Sequence, residues 1–169
     1  KVRFSPDGTN VAAIAPDGGA VWSVATGTQV GPFPTGDVGS FDLSFSPDGR
    51  WLGVAGNGSV LLDAHSLQPR YPRPPSGTFR DREQDITFSP DGARFAVTTG
   101  GAGQTNSSGI VVRDSTNAAV VTPSIPVASG DPGRLAYSPD GRSIAATLTD
   151  GTVSEWDAAS GALLHDALV

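Results

Sequence analysis

Four aspartates recur at matching places in this sequence: Asp7, Asp48, Asp91 and Asp140. Converging carboxylates can hold a divalent cation or share a proton as an acid–base pair, so they are the first candidates for chemistry. Each is the third residue of a Ser-Pro-Asp-Gly tetrapeptide, at Ser5–Gly8, Ser46–Gly49, Ser89–Gly92 and Ser138–Gly141. There Pro presets φ for the first corner of a type I turn, Asp tolerates the second, and Gly takes the positive-φ position that rejoins the next strand. The turn accounts for the carboxylates. No Asp-x-Asp-x-Asp-Gly calcium loop is present.

The other reactive residue types give weaker patterns. His65 and His165 are the two histidines, and there is no cysteine. A zinc site needs three or four convergent ligands, so both read as surface histidines. Gly39-Ser40 and Ser107-Ser108-Gly109 do not form the Gly-x-Ser-x-Gly elbow of a serine nucleophile. The run Gly100–Gly103 lacks a following Gly-Lys-Ser/Thr and a helix to supply a dipole, so it reads as a hairpin loop and not a phosphate cradle. No catalytic, cofactor or metal residue is assigned.

Two features suggest contact instead of catalysis. The stretch Arg70–Arg82 interleaves Arg with Tyr71 and Phe79 and carries Pro72, Pro74 and Pro75. Such interleaving can bind single-stranded nucleic acid. The prolines argue for an edge strand and a loop, and Asp81, Glu83 and Asp85 offset the positive charge. Trp51 stands where the other repeats have Asn10, Arg94 and Ser143. An exposed Trp there is a contact hot spot, unless it lies under the Arg70–Arg82 loop. The candidate partner-contact residues are Trp51, Tyr71, Phe79, Arg80 and Arg82.

These residues need elements to position them, and the repeat supplies them. The tetrapeptides begin 41, 43 and 49 residues apart. Each follows a short alternating segment: Val2-Arg3-Phe4, Leu43-Ser44-Phe45, Ile86-Thr87-Phe88 and Leu135-Ala136-Tyr137. A large apolar residue then stands three places after each Gly: Val11, Leu52, Phe95 and Ile144. Turn dipeptides follow at Asp17-Gly18, Asn57-Gly58 and Asp150-Gly151. The loop at Gly100–Gly109 takes their place in the third unit. A third strand runs over Val21–Val24, Val60–Asp63, Ile110–Asp114 and Val153–Asp157. A fourth, weaker one is clearest at Ala162–Val169. Four short meander-connected strands per unit make a propeller blade. The 22 Gly and 14 Pro fit a turn-rich all-β chain.

The units resemble the WD40 repeat family, whose blades read apolar-Ser-Phe-Ser-Pro-Asp-Gly, a strand, Asp-Gly, a strand ending Trp-Asp, and Thr-Gly. The last unit matches best, with Asp150-Gly151, Trp156-Asp157 and Ser160-Gly161. The first keeps Trp22 and Thr26-Gly27 but has Ser23 for the Asp; the second has Leu62-Asp63 and the third Arg113-Asp114. No unit has the Gly-His pair from which many WD40 blades build a buried His-centred network. The resemblance implies an all-β propeller of four four-stranded antiparallel blades, near residues 1–36, 37–78, 79–129 and 130–169. It also implies rings of about seven blades. Four blades could therefore close alone, two copies could meet as a homodimer in an eight-bladed ring, or further blades could lie outside this chain. The absent Met and the opening inside a strand favour the last. Some large bacterial regulators with a nucleotide-binding switch domain carry similar segments.

The function expected from the resemblance is a protein-interaction scaffold without catalytic activity, binding other proteins or peptides and using no cofactor. The alternative is the propeller of an enzyme or of a periplasmic TolB-like protein, gating or docking substrate. A formal charge of −6 repels phosphate backbones and anionic lipid, so neither nucleic acid nor a membrane is an expected partner. With no signal peptide and no apolar span, the expected location is cytoplasmic.

Overall fold

The computed structural model describes residues 1–15, 18–33, 40–56, 58–71, 83–100, 108–122, 124–127 and 130–168. They form four antiparallel meander sheets in chain order. The first holds β1 (Val2–Phe4), β2 (Asn10–Ala15), β3 (Gly18–Ser23) and β4 (Gln29–Phe33). The second holds β5 (Ser40–Phe45), β6 (Trp51–Gly56) and β7 (Val60–Asp63). The third holds β8 (Glu83–Phe88), β9 (Arg94–Thr99), β10 (Gly109–Asp114) and β11 (Ile125–Pro126). The fourth holds β12 (Pro132–Tyr137), β13 (Ser143–Leu148), β14 (Val153–Asp157) and β15 (Leu163–Leu168). In the second sheet the outer strand shrinks to the single bridge Leu62↔Pro69. Proline lacks the N–H that a longer ladder needs, and it suits an edge. Among the described residues no helix is long and apolar enough to cross a membrane.

The first hairpin of every blade is locked by one side-chain circuit. Ser46 Oγ donates to Asp48 Oδ1 at 2.5 Å and accepts the Trp51 N–H at 2.9 Å, while Asp48 Oδ1 accepts the Arg50 N–H at 3.0 Å. Ser5–Asp7, Ser89–Asp91 and Ser138–Asp140 repeat it at 2.6, 2.6 and 2.7 Å. Gly8, Gly49, Gly92 and Gly141 close the turns with φ of 70–73°, a region that costs an L-residue strain and glycine almost none. The hydrogen bond from the turn Ser is the largest cause holding these four Asp carboxyls below the usual carboxylate range. The carboxylates act as turn locks.

The sheets stack face to face. Ile14, Val21 and Phe33 of the first blade pack on Leu43, Leu52 and Leu62 of the second. Ala55 and Leu61 of the second meet Ile86, Phe88 and Phe95 of the third. Ile110, Val112 and Ile125 of the third meet Leu135, Ile144 and Trp156 of the fourth. Each blade thus turns one apolar face backward and another forward. Burying one such Leu, Ile or Phe side chain is worth about 1.5–3 kcal/mol, so the stacking contributes most of the stability. The inner strands β1, β5, β8 and β12 lie side by side in that order. They position the candidate site.

Candidate functional site

The inner strands carry a charge column that the sequence reading passed over. Four residues before the turn serine stand Lys1, directly before β1, and Asp42, Asp85 and Arg134 on β5, β8 and β12. The alternation of a strand puts these side chains on one face. The two carboxylates are almost fully buried, at 1% and 4% exposure. Arg134 Nη1 donates to Asp42 Oδ2 and to Asp85 Oδ1, both at 2.9 Å, joining three blades through one guanidinium. Asp85 Oδ2 accepts the Leu135 N–H at 2.7 Å, and the Asp85 N–H donates to Thr98 Oγ1 at 3.0 Å. Arg3 and Lys1 approach Asp42 Oδ1 at 3.5 and 3.7 Å. Burial, followed by the neighbouring Asp42 carboxyl, pushes the Asp85 carboxyl well above the usual carboxylate range.

A carboxyl with a raised pKa beside a cation is one ingredient of acid–base catalysis. Here both Asp85 oxygens are already engaged by Arg134 and by the Leu135 amide. Among the described residues, no group of three or more His, Cys, Asp and Glu could hold a metal ion. What the column offers outward is positive charge: the side chains of Lys1, Arg3 and Arg134 are 29%, 45% and 53% exposed, above carboxylates that are not.

A second buried pair lies within the third blade. Arg113 Nη2 donates to Glu83 Oε1 at 3.0 Å. Arg113 fills the third-strand place held elsewhere by Trp22, Leu62 and Trp156. Burial raises the Glu83 pKa and Arg113 opposes the rise. Tyr71 packs beside this pair, and burial pushes its hydroxyl up to about 12. A missing Trp in a WD-like strand, with Glu at the head of the same blade, was the available signal.

Trp51 is half-buried against the core between the second and third blades. The Arg70 guanidinium lies 3.9 Å from its ring centroid and that of Arg50 lies 4.9 Å away. Arg70 Nε also donates to the Thr116 carbonyl at 3.3 Å. Two cations thus rest on the indole, a cation–π arrangement, and the start of the Arg70–Arg82 stretch covers it. Trp51 follows the turn, at the opposite end of the blade from the heads of the inner strands. Phe79, Arg80 and Arg82 lie outside the described residues.

The histidines are in different blades. His65 donates its N–H to Asp63 in a turn, and His165 Nδ1 lies 2.9 Å from Glu155 Oε2. At the turn end, open polar notches sit between blades. One of 330 Å³ is lined by Asp7, Asn10, Arg50, Asp63 and His65; one of 350 Å³ is lined by Asp91, Arg94, Tyr137 and Asp140. In both, the carboxylates of the Ser-Pro-Asp-Gly turns are held by their own serines.

The family model for the WD domain, G-beta repeat, matches residues 129–157, the stretch that contains β12, β13 and β14. No curated protein matches the chain.

Proposed function

From the premise that this chain is built of WD40-type blades, we propose that it is a non-catalytic docking module. It would receive a protein or peptide at the end of the propeller where the inner strands begin. WD40 repeats serve in general as protein-interaction scaffolds, and a rigid stack of blades presents a shaped surface without needing to move. The observation that carries the reading is the exposed guanidinium of Arg134, held by Asp42 and Asp85 over the axis beside Arg3 and Lys1. A pre-oriented Arg is the usual anchor for a carboxylate on a partner. The favoured ligand is a peptide or loop bearing an acidic side chain. Residues 72–82 lead directly into β8 at this end, so Phe79, Arg80 and Arg82 are proposed contacts beside the axial cations.

The test is panning of a random-peptide phage library on the immobilised chain, in parallel with an Arg134→Ala variant. Acidic peptides should be enriched on the unaltered chain, and binding to the variant should weaken severalfold. Enrichment of nothing, or of peptides that bind both chains equally, would overturn the assignment.

A further inference from the structure

At their turn ends the four blades meet in three seams built alike. Pro6, Pro47 and Pro90 each lie beside the turn glycine of the next blade, Gly49, Gly92 and Gly141. In each seam the residue two places after one turn glycine meets the aromatic residue just before the next turn serine. The pairs are Asn10 with Phe45, Trp51 with Phe88, and Arg94 with Tyr137. Phe4 heads this aromatic column and, with no seam before it, is 63% exposed. The middle seam is filled from within the chain. Trp51 packs on the cluster that contains Phe88, and the Arg50 and Arg70 guanidinium groups lie 4.9 and 3.9 Å from its ring centroid. Arg70 Nε crosses to the Thr116 carbonyl of the third blade at 3.3 Å. What fills that seam is a neutral ring held by cations.

The seam between the third and fourth blades has a cation where the middle one has the ring. Arg94 stands exposed at the Trp51 place, and the 350 Å³ notch opens beside it. That is within the range of small-ligand clefts, about 300–1,000 Å³. Tyr137 replaces Phe45 and Phe88 and brings a hydroxyl, which is buried and has no hydrogen-bond partner among the described residues. Burial pushes that hydroxyl up to about 12, and the charges acting on it are those of Arg94 and Asp91. Asp91 and Asp140 edge the notch, each held by its own turn serine. Two carboxylates repel an anion, and Arg94 repels a cation. A neutral ring suits the site, because its face attracts the guanidinium and its positive edge the carboxylates. In the seam between the first and second blades Asn10 supplies no cation and Phe45 no hydroxyl.

We propose that the notch between Arg94 and Tyr137 binds an indole side chain of a partner protein or peptide. The Arg94 guanidinium stacks on the ring as Arg70 does on Trp51. As the exposed Arg94 side chain lifts onto the ring, the Tyr137 hydroxyl comes within reach and accepts the indole N–H. This site is at the opposite end of the blades from Arg134 and does not rest on the acidic-ligand reading.

The test is a titration of the isotope-labelled full chain with N-acetyl-tryptophanamide, followed by backbone amide chemical shifts. Saturable shifts should be confined to residues 89–94 and 137–142, with little change at residues 5–10, and N-acetyl-leucinamide should cause none. Arg94→Trp, which fills the notch as Trp51 fills the middle seam, should abolish them. Tyr137→Phe restores the ring found in the other seams. It should weaken N-acetyl-tryptophanamide severalfold and leave unchanged N-acetyl-phenylalaninamide, which binds by its ring alone. The proposal is overturned if no shift saturates, if the leucine probe binds as well, or if the shifts survive in Arg94→Trp. Equal effects of Tyr137→Phe on both aromatic probes also overturn it.

Discussion

Replacing Arg134 by Ala tests the axial clamp directly. The substitution removes the cation shared by two nearly buried carboxylates, Asp42 and Asp85. Stripping one partner from a fully buried pair costs about 3–5 kcal/mol. The Arg134 side chain is 53% exposed, so solvent screens part of its charge, and about 2 kcal/mol is the reasonable expectation. For a chain of this length that is a Tm drop of about 4–8 °C. The cost should also depend on pH. The folded pKa of Asp85 lies above its unfolded value of 3.8. Its contribution to stability is therefore fully present below that value and is lost as pH rises through the raised folded pKa. When Asp85 keeps its proton, Asp42 faces a neutral neighbour and needs Arg134 less. The Arg134→Ala penalty, measured by guanidinium titration at several pH values, should thus be smaller in mild acid than above neutrality. Asp85→Asn should flatten that pH dependence and reduce the penalty in the double variant. A penalty that is the same at every pH, or unaffected by Asp85→Asn, would refute the clamp.

Three further outcomes are expected. Ser46→Ala removes a fully buried hydroxyl and leaves the Trp51 amide without its acceptor, and should cost about 1–3 kcal/mol in denaturant unfolding. Phe88→Ala should cost about 3–5 kcal/mol, while Phe4→Ala at the matching place should change stability by less than about 0.5 kcal/mol, read by the same unfolding curves. Ala118 stands at φ 60° where the first and last blades have Gly27 and Gly161; Ala118→Gly should raise stability by about 0.5–1 kcal/mol, visible as a higher melting temperature.

The turns were legible because their chemistry is local. Pro, Asp and Gly have conformational preferences that hold in any context, and four copies in phase leave one topology. The turn serine's double role was not read from its type, since a hydroxyl is informative only once its partners five residues away are known. The axial column was present in the sequence as a charged residue at constant distance from each tetrapeptide. Its signs change from blade to blade, so no single motif repeats, and only the adjacency of inner strands shows that Lys1, Asp42, Asp85 and Arg134 belong together. Arg113 was seen as a departure from the Trp pattern, but its partner Glu83 lies 30 residues away and emerges only with the sheet. Trp51 was read as either an exposed contact or a covered residue; it is half-buried, with the Arg70 guanidinium stacked on its ring. The left-handed residues Leu67 and Ala118 could not be foreseen, because nothing in their types announces a position that glycine fills in the outer blades.

The guanidinium that spans the axis also has a kinetic meaning. Each hairpin closes over a handful of residues, so single sheets can form early and independently. The bond from Arg134 to Asp42 connects residues 92 positions apart, and it can form only after the second, third and fourth sheets have been assembled in order. Loop-closure entropy makes such a contact a late event in folding. In a stack whose neighbours otherwise feel only one another, that late latch makes non-adjacent sheets open together and turns a string of separate repeats into one cooperative unit.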